Sequence, residues 1–131
     1  MPDTAGTRVL VVEDDPETRR YYADALARDG FETHQAHNGL QALQKALDLQ
    51  PSLILTDIAV PGIDGIELLR RLRADKRTAS IPVIAITGYD DRQYADRALG
   101  AGAVHVLAKP CDSESIVNEA RQILAGARPT R

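Results

Sequence analysis

The chain has 131 residues, 44% hydrophobic and 27% charged, the proportions of one ordinary globular domain. Its 16 Lys and Arg against 19 Asp and Glu leave a net charge of −3, which offers no general attraction to nucleic acid or an anionic membrane. One cysteine excludes an internal disulfide, and one Phe, four Tyr and no Trp exclude an aromatic core and stacking platforms for single-stranded nucleic acid. In chain order, residues 8–12 are a short β-branched run and read as a strand. Asp15 as cap and Pro16 at the first helical position open a helix over 16–28, which stops before Gly30. Residues 31–36 form a weaker strand. Leu40, Leu43 and Leu47, with Ala42 and Ala46, stripe a helix over 40–49 that ends before Pro51. Residues 52–56 are the third strand. Behind Asp64 as cap, Ile66, Leu69 and Leu72 stripe a helix over 65–74. Strands over 81–87 and 104–107 alternate with helices over 91–99, ending at Gly100, and 113–124, capped by Asp112 or Ser113.

Five β-α repeats imply an α/β fold, a doubly wound parallel sheet with helices on both faces. The central strands are continuous apolar runs, as strands covered on both sides must be. A single domain over 1–131 is expected, with its core at about 8–125 and frayed ends at 1–7 and 126–131. The polar start lacks the apolar run of a secretory leader, and no apolar stretch approaches the ~18 residues of a membrane span, so a cytoplasmic protein is expected.

Ligands of open parallel sheets bind beyond the carboxyl ends of the strands. There this sequence places Glu13-Asp14-Asp15, Asp57, Thr87-Gly88 and Lys109-Pro110. Two like charges ~4 Å apart repel by about 4 kcal/mol at an effective dielectric of 20. Clustered carboxylates must therefore share a proton, pair with Lys109 or hold a cation. An all-oxygen set favours a hard ion such as Mg²⁺, and Lys and Thr opposite it suit the oxygens of a phosphoryl group. A carboxylate so placed can itself be the nucleophile and form an acyl phosphate. Each residue also has an ordinary structural reading. Asp57 alone is a turn former, Asp15 a helix cap, Thr87 a strand end and Lys109 a solvated charge. His34, His37 and His105 lack metal-ligand spacing, and Cys111 reads as a small, partly buried side chain. The run Arg70-Arg71-Leu72-Arg73-Ala74-Asp75-Lys76-Arg77 reads as a helix end whose cations favour the C-terminal dipole.

The ordered set Val11-Val12-Glu13-Asp14-Asp15, Thr56-Asp57, Pro61, Asp64-Gly65, Thr87-Gly88 and Lys109-Pro110 resembles the receiver domain of two-component response regulators. The resemblance covers about residues 8–125. It implies a CheY-like, flavodoxin-like sheet in the order 2-1-3-4-5. It implies Asp57 as phosphoacceptor, taking a phosphoryl group from a phosphohistidine of a histidine kinase or histidine phosphotransfer protein. Mg²⁺ or Mn²⁺ would be held by Asp14, Asp57 and the backbone carbonyl of Ala59, with Glu13 contributing through water. Lys109 and Thr87, with Gly88 beside it, would bind the phosphoryl group, and the Lys109–Pro110 peptide would be cis. Such a module is not an enzyme in the ordinary sense. Its output is contact with an unknown protein target through about residues 91–125, with no direct role for nucleic acid or membrane.

Two positions depart from the family pattern, Val60, an apolar residue where Met is frequent before Pro61, and Val106. Val106 stands where an aromatic switch residue is common, so the usual coupling of Thr87 to an aromatic rotamer is not expected. Tyr89, two residues after Thr87, is a substitute gate expected to slow dephosphorylation. The start at Met1 favours a receiver that stands alone, although the chain also resembles receivers of hybrid kinases. Two other functions compete. One is a receiver-like scaffold that is never phosphorylated. The other is an aspartyl-nucleophile phosphatase, which needs a second Asp where Ala59 stands.

Overall fold

The computed structural model describes residues 6–60, 62–88 and 92–126. Its elements are β1 (Arg8–Val12), α1 (Pro16–Arg28), β2 (Glu32–Ala36), α2 (Gly39–Leu49), β3 (Leu53–Asp57), α3 (Gly65–Ala74), β4 (Val83–Thr87), α4 (Arg92–Gly100), β5 (His105–Ala108) and α5 (Ser113–Leu124). The strands form one parallel sheet in the order β2-β1-β3-β4-β5, the order that the family resemblance implied. α1, α2, α3 and α5 each start where a side chain satisfies one of the first free amides. Asp15 accepts from the Thr18 N–H, Asn38 from Gln41, Asp64 from Glu67 and Asp112 from Ser115.

Period-two alternation divides the strand side chains between two cores. Leu10, Val12, Ile54, Val83 and Ala85 pack beneath α2, α3 and α4 with Ala42, Leu68, Leu69 and Ala98. Val9, Val11, Leu53, Leu55, Ile84 and Ile86 pack beneath α1 and α5 with Tyr22, Leu26 and Ile116. The inner strands β3 and β4 are buried throughout, whereas the edge strands β2 and β5 are half-covered. α1 and α5 are joined by an Arg121–Asp29 ion pair and by Tyr21, whose hydroxyl oxygen accepts the Ser113 N–H at 2.9 Å.

Boundaries moved where backbone pairing overrode composition. β4 starts after Pro82, which has no N–H to give. β3 ends on Asp57 because Asp57 pairs with Ile86 and the next amide, that of Ile58, donates to the Ile86 carbonyl at 2.9 Å. The basic run ending α3 is taken up locally. Arg71 pairs with Glu67 and Arg77 with Asp75, while Arg73 donates to the carbonyls of Ala79, Ile81 and Gly102. Arg73 therefore ties the end of α3 to the turn before β5, a structural role that its place in a charge run does not suggest. No helix among the described residues is long and apolar enough to cross a membrane.

Candidate functional site

Strand phase decides which side chains meet at the carboxyl edge. Glu13 continues the phase of Val9 and Val11, and Asp57 that of Leu53 and Leu55. Lys109 continues the phase of Leu107, so all three belong to the α1/α5 side of the sheet. Thr87 continues the phase of Val83 and Ala85 and approaches from the α4 side. The Lys109 amide donates to the Thr87 carbonyl at 2.8 Å, which fixes β5 against β4 at this edge.

The Lys109 ammonium donates to Asp57 Oδ2 and lies 3.5 Å from Glu13 Oε1. The other Asp57 oxygen, Oδ1, accepts the Ala59 N–H at 2.9 Å. Glu13 Oε2 accepts the Asp15 N–H at 3.0 Å. Asp57 is 4% exposed and Glu13 2%, so two carboxylates are buried against one ammonium. Burial, reinforced by the neighbouring Asp57, pushes the Glu13 carboxyl up to about 7. Burial works against the Lys109 charge, but the Asp57 and Glu13 carboxylates outweigh it and hold the ammonium above the usual lysine range. Of the three options left open by the charge pattern, pairing with Lys109 is seen directly.

Asp14 follows β1 on the exposed rim of this cluster. Among the described residues no group of three His, Cys, Asp or Glu side chains converges as a preformed metal centre. The donor chemistry nevertheless fits a hard divalent cation. It is all oxygen, it carries more carboxylate than ammonium, and one buried carboxylate, Glu13, is driven toward its neutral form by burial beside Asp57.

Asp57, Ala59, Thr87 and Gly88 line one cavity of about 430 Å³. Ile58, Asp64 and Tyr94 complete its described wall. Tyr94 falls within residues 91–125, the segment expected to contact a target, and it borders this cavity as well. The signal that could have placed it is its position in the first turns of α4, which begins just past the Thr87 strand end. Across Thr87 and Gly88 lies a second cavity of about 520 Å³ between α4 and β5, lined by Val106, Leu99 and His105. Val106 and Thr87 thus border the same cavity, Val106 as a small aliphatic wall. Lys109 also borders a third cavity of about 510 Å³ with Tyr21, Tyr22, Pro110 and Cys111, on the α1 side. The Lys109–Pro110 bond is cis, as the resemblance implied. Cys111 is partly buried, and burial raises its thiol pKa. Tyr89 and Pro61 lie outside the described residues.

Comparison with known proteins agrees with this arrangement. The family model of the response regulator receiver domain matches residues 9–121. The regulatory protein AtoC of Escherichia coli is 39% identical over 113 residues, spanning 86% of this chain and 24% of AtoC. Protein PilH of Pseudomonas aeruginosa is 34% identical over 121 residues, spanning 91% of this chain and 98% of PilH. Among solved structures, a CheY-like response regulator receiver domain protein from Methanospirillum hungatei superposes with a TM-score of 0.86 at 25% identity, over 93% of this chain and 96% of that one. Apart from PilH, the chain spans between 24% and 54% of the length of the curated relatives it matches. A match over almost the whole described sheet, together with a lysine-paired aspartate at the end of its central strand, makes this chain a member of the response regulator receiver family, the signalling domains of two-component systems.

Proposed function

We propose that this domain accepts a phosphoryl group on Asp57 from a phosphohistidine of a histidine kinase or histidine phosphotransfer protein. The observation that carries the reading is the buried Asp57 carboxylate, held by Lys109 on one oxygen and by the Ala59 amide on the other. An Asp57 oxygen attacks phosphorus, the P–N bond breaks, and the imidazole leaves with its electron pair and takes up a proton. Asp57 then carries an acyl phosphate. Lys109 is already within reach of the reacting oxygen and transfers its hydrogen bond to the phosphoryl oxygens. The Thr87 hydroxyl borders the same cavity as Asp57 and would donate to another. Phosphoryl transfer needs chiefly positioning and charge neutralisation, and these groups supply both.

Asp14, Asp57 and the backbone carbonyl of Ala59 would hold Mg²⁺ or Mn²⁺, with Glu13 contributing through water. Such an ion supplies further neutralisation of the phosphoryl charge. Ala59 offers no carboxyl to act as the general acid of an aspartyl-nucleophile phosphatase, so transfer to Asp57 and slow hydrolysis fit better than turnover. Output is read as contact between a target protein and the α4–β5–α5 face.

The test is intact-mass measurement after incubation with acetyl phosphate and Mg²⁺. One added phosphoryl group is expected in the wild type, with none in Asp57→Asn and none after chelation of the metal. No adduct, together with no retention of beryllofluoride, would leave an unphosphorylated interaction scaffold as the better reading.

A further inference from the structure

We infer that Tyr94 is the gate of the phosphoacceptor cavity, its ring limiting the access of water to phosphorylated Asp57. The inference rests on Asp57 being the phosphoacceptor. Asp57 is 4% exposed and lines the cavity, which gives water a route to its acyl phosphate. That cavity measures about 430 Å³. A liquid water occupies roughly 30 Å³, so a phosphoryl group and several waters fit together. Volume alone therefore does not protect the acyl phosphate, and the wall residues decide. Ala59 contributes one methyl group and Gly88 no side chain. Thr87 is polar and can face the phosphoryl oxygens. Asp64 is engaged as the α3 cap, its Oδ1 accepting the Glu67 N–H at 2.9 Å. Among the described lining residues, Ile58 is the other large apolar side chain and is buried, while Tyr94 is the one aromatic and the largest side chain.

Tyr94 is also positioned as a movable wall. It is 40% exposed, so its ring borders the cavity on one side and solvent on the other. The Arg97 guanidinium lies 5.1 Å from its ring centroid, within cation–π range and three residues further along the same helix. That contact biases the ring without burying it. The step controlled is hydrolysis. Water oxygen attacks phosphorus, the bond from phosphorus to the Asp57 oxygen breaks, and the products are the Asp57 carboxylate, inorganic phosphate and one proton. Restricting water in such a site slows this reaction without changing the groups that carry it out.

The experiment loads wild type, Tyr94→Ala and Tyr94→Phe with acetyl phosphate and Mg²⁺, removes the donor, and follows loss of the phosphoryl group by intact mass. Tyr94→Ala is expected to lose it faster by about fivefold or more. Tyr94→Phe, which keeps the ring, is expected to restore slow loss. If Tyr94→Ala decays within about twofold of wild type, the gate is overturned while phosphorylation of Asp57 stands. Equal acceleration in Tyr94→Phe also overturns it, since the hydroxyl rather than the ring would then be responsible. A lowered thermal midpoint with unchanged decay marks a merely structural side chain and overturns it likewise. No Asp57-dependent adduct in the wild type overturns the functional reading, and this inference with it.

Discussion

Glu13 and Asp57 share one ammonium at the sheet edge, and that shortage of positive charge has a measurable consequence. Removing charge from a buried cluster that is not fully paired is commonly neutral or stabilising. Glu13→Gln keeps an oxygen to accept the Asp15 N–H and gains an amide that can donate toward Asp57. The variant is expected to be more stable than wild type by about 1–2 kcal/mol in metal-free solution at neutral pH. Added Mg²⁺ should stabilise it less than it stabilises wild type, because one carboxylate of the proposed ion site is gone. Chemical denaturation with and without Mg²⁺ checks both statements. A lowered metal-free midpoint would mean that Lys109 already compensates both carboxylates. At this scale the sequence was legible for the carboxylates, Thr87 and Lys109, because each follows an apolar run that announces a strand. It was not legible for Tyr94 or Arg73. An exposed tyrosine on a helix looks like any surface aromatic, and Arg73 finds the Gly102 carbonyl 29 residues away through tertiary packing.

The element that positions Asp57 from outside the sheet is the start of α3. The Gly65 N–H donates to the Ile58 carbonyl at 2.7 Å, clamping the helix onto the backbone beside Asp57. A Cβ on Gly65 would lie 2.6 Å from Ile58 Cα and 3.1 Å from the Asp57 carbonyl oxygen, closer than side chains approach backbone. This glycine is needed for close approach. Gly65→Ala is therefore expected to cost about 1–3 kcal/mol, as overpacking does, and to slow phosphorylation although every reacting group remains. Thermal denaturation and the rate of loading from acetyl phosphate are measured together. Wild-type values for both would show that α3 yields freely at its start. The motif Asp64-Gly65 was visible in the sequence as a cap followed by a helix. The contact that makes the glycine necessary was not, because it depends on how closely α3 returns to the end of β3. The same limit explains Asp57, read as the residue after its strand and found as the last within it. Composition marks where an apolar run ends, while backbone pairing with β4 marks where the strand ends.

Across the whole molecule the two sides of the sheet are unequally anchored. α3 buries Gly65, Ile66, Leu68, Leu69 and Leu72, whereas Ala98 is the one buried residue of α4. α1 and α5 are tied together by Arg121–Asp29 and by Tyr21 with the Ser113 amide. α4 therefore has the least burial to hold it, and local opening is easiest where few apolar contacts must break. It is also the helix whose Tyr94 borders the Asp57 cavity and whose Leu99 borders the Val106 cavity, with Thr87 and Gly88 lining both. On the proposed function, a phosphoryl group on Asp57 would draw on the Lys109 ammonium and the Thr87 hydroxyl, and so would act at the junction of these two cavities. With a small aliphatic side chain at Val106, the response is expected in the helix itself rather than in an aromatic rotamer on β5. Amide hydrogen exchange is expected to be faster in α4 than in α3 in the unloaded protein. It should slow in α4 on loading with beryllofluoride and Mg²⁺, while α1 and α5 change little. Slowing confined to α1 and α5 would place the response on the other face of the sheet, where Lys109 borders the Tyr21–Tyr22 cavity, and would make α4 a passive wall.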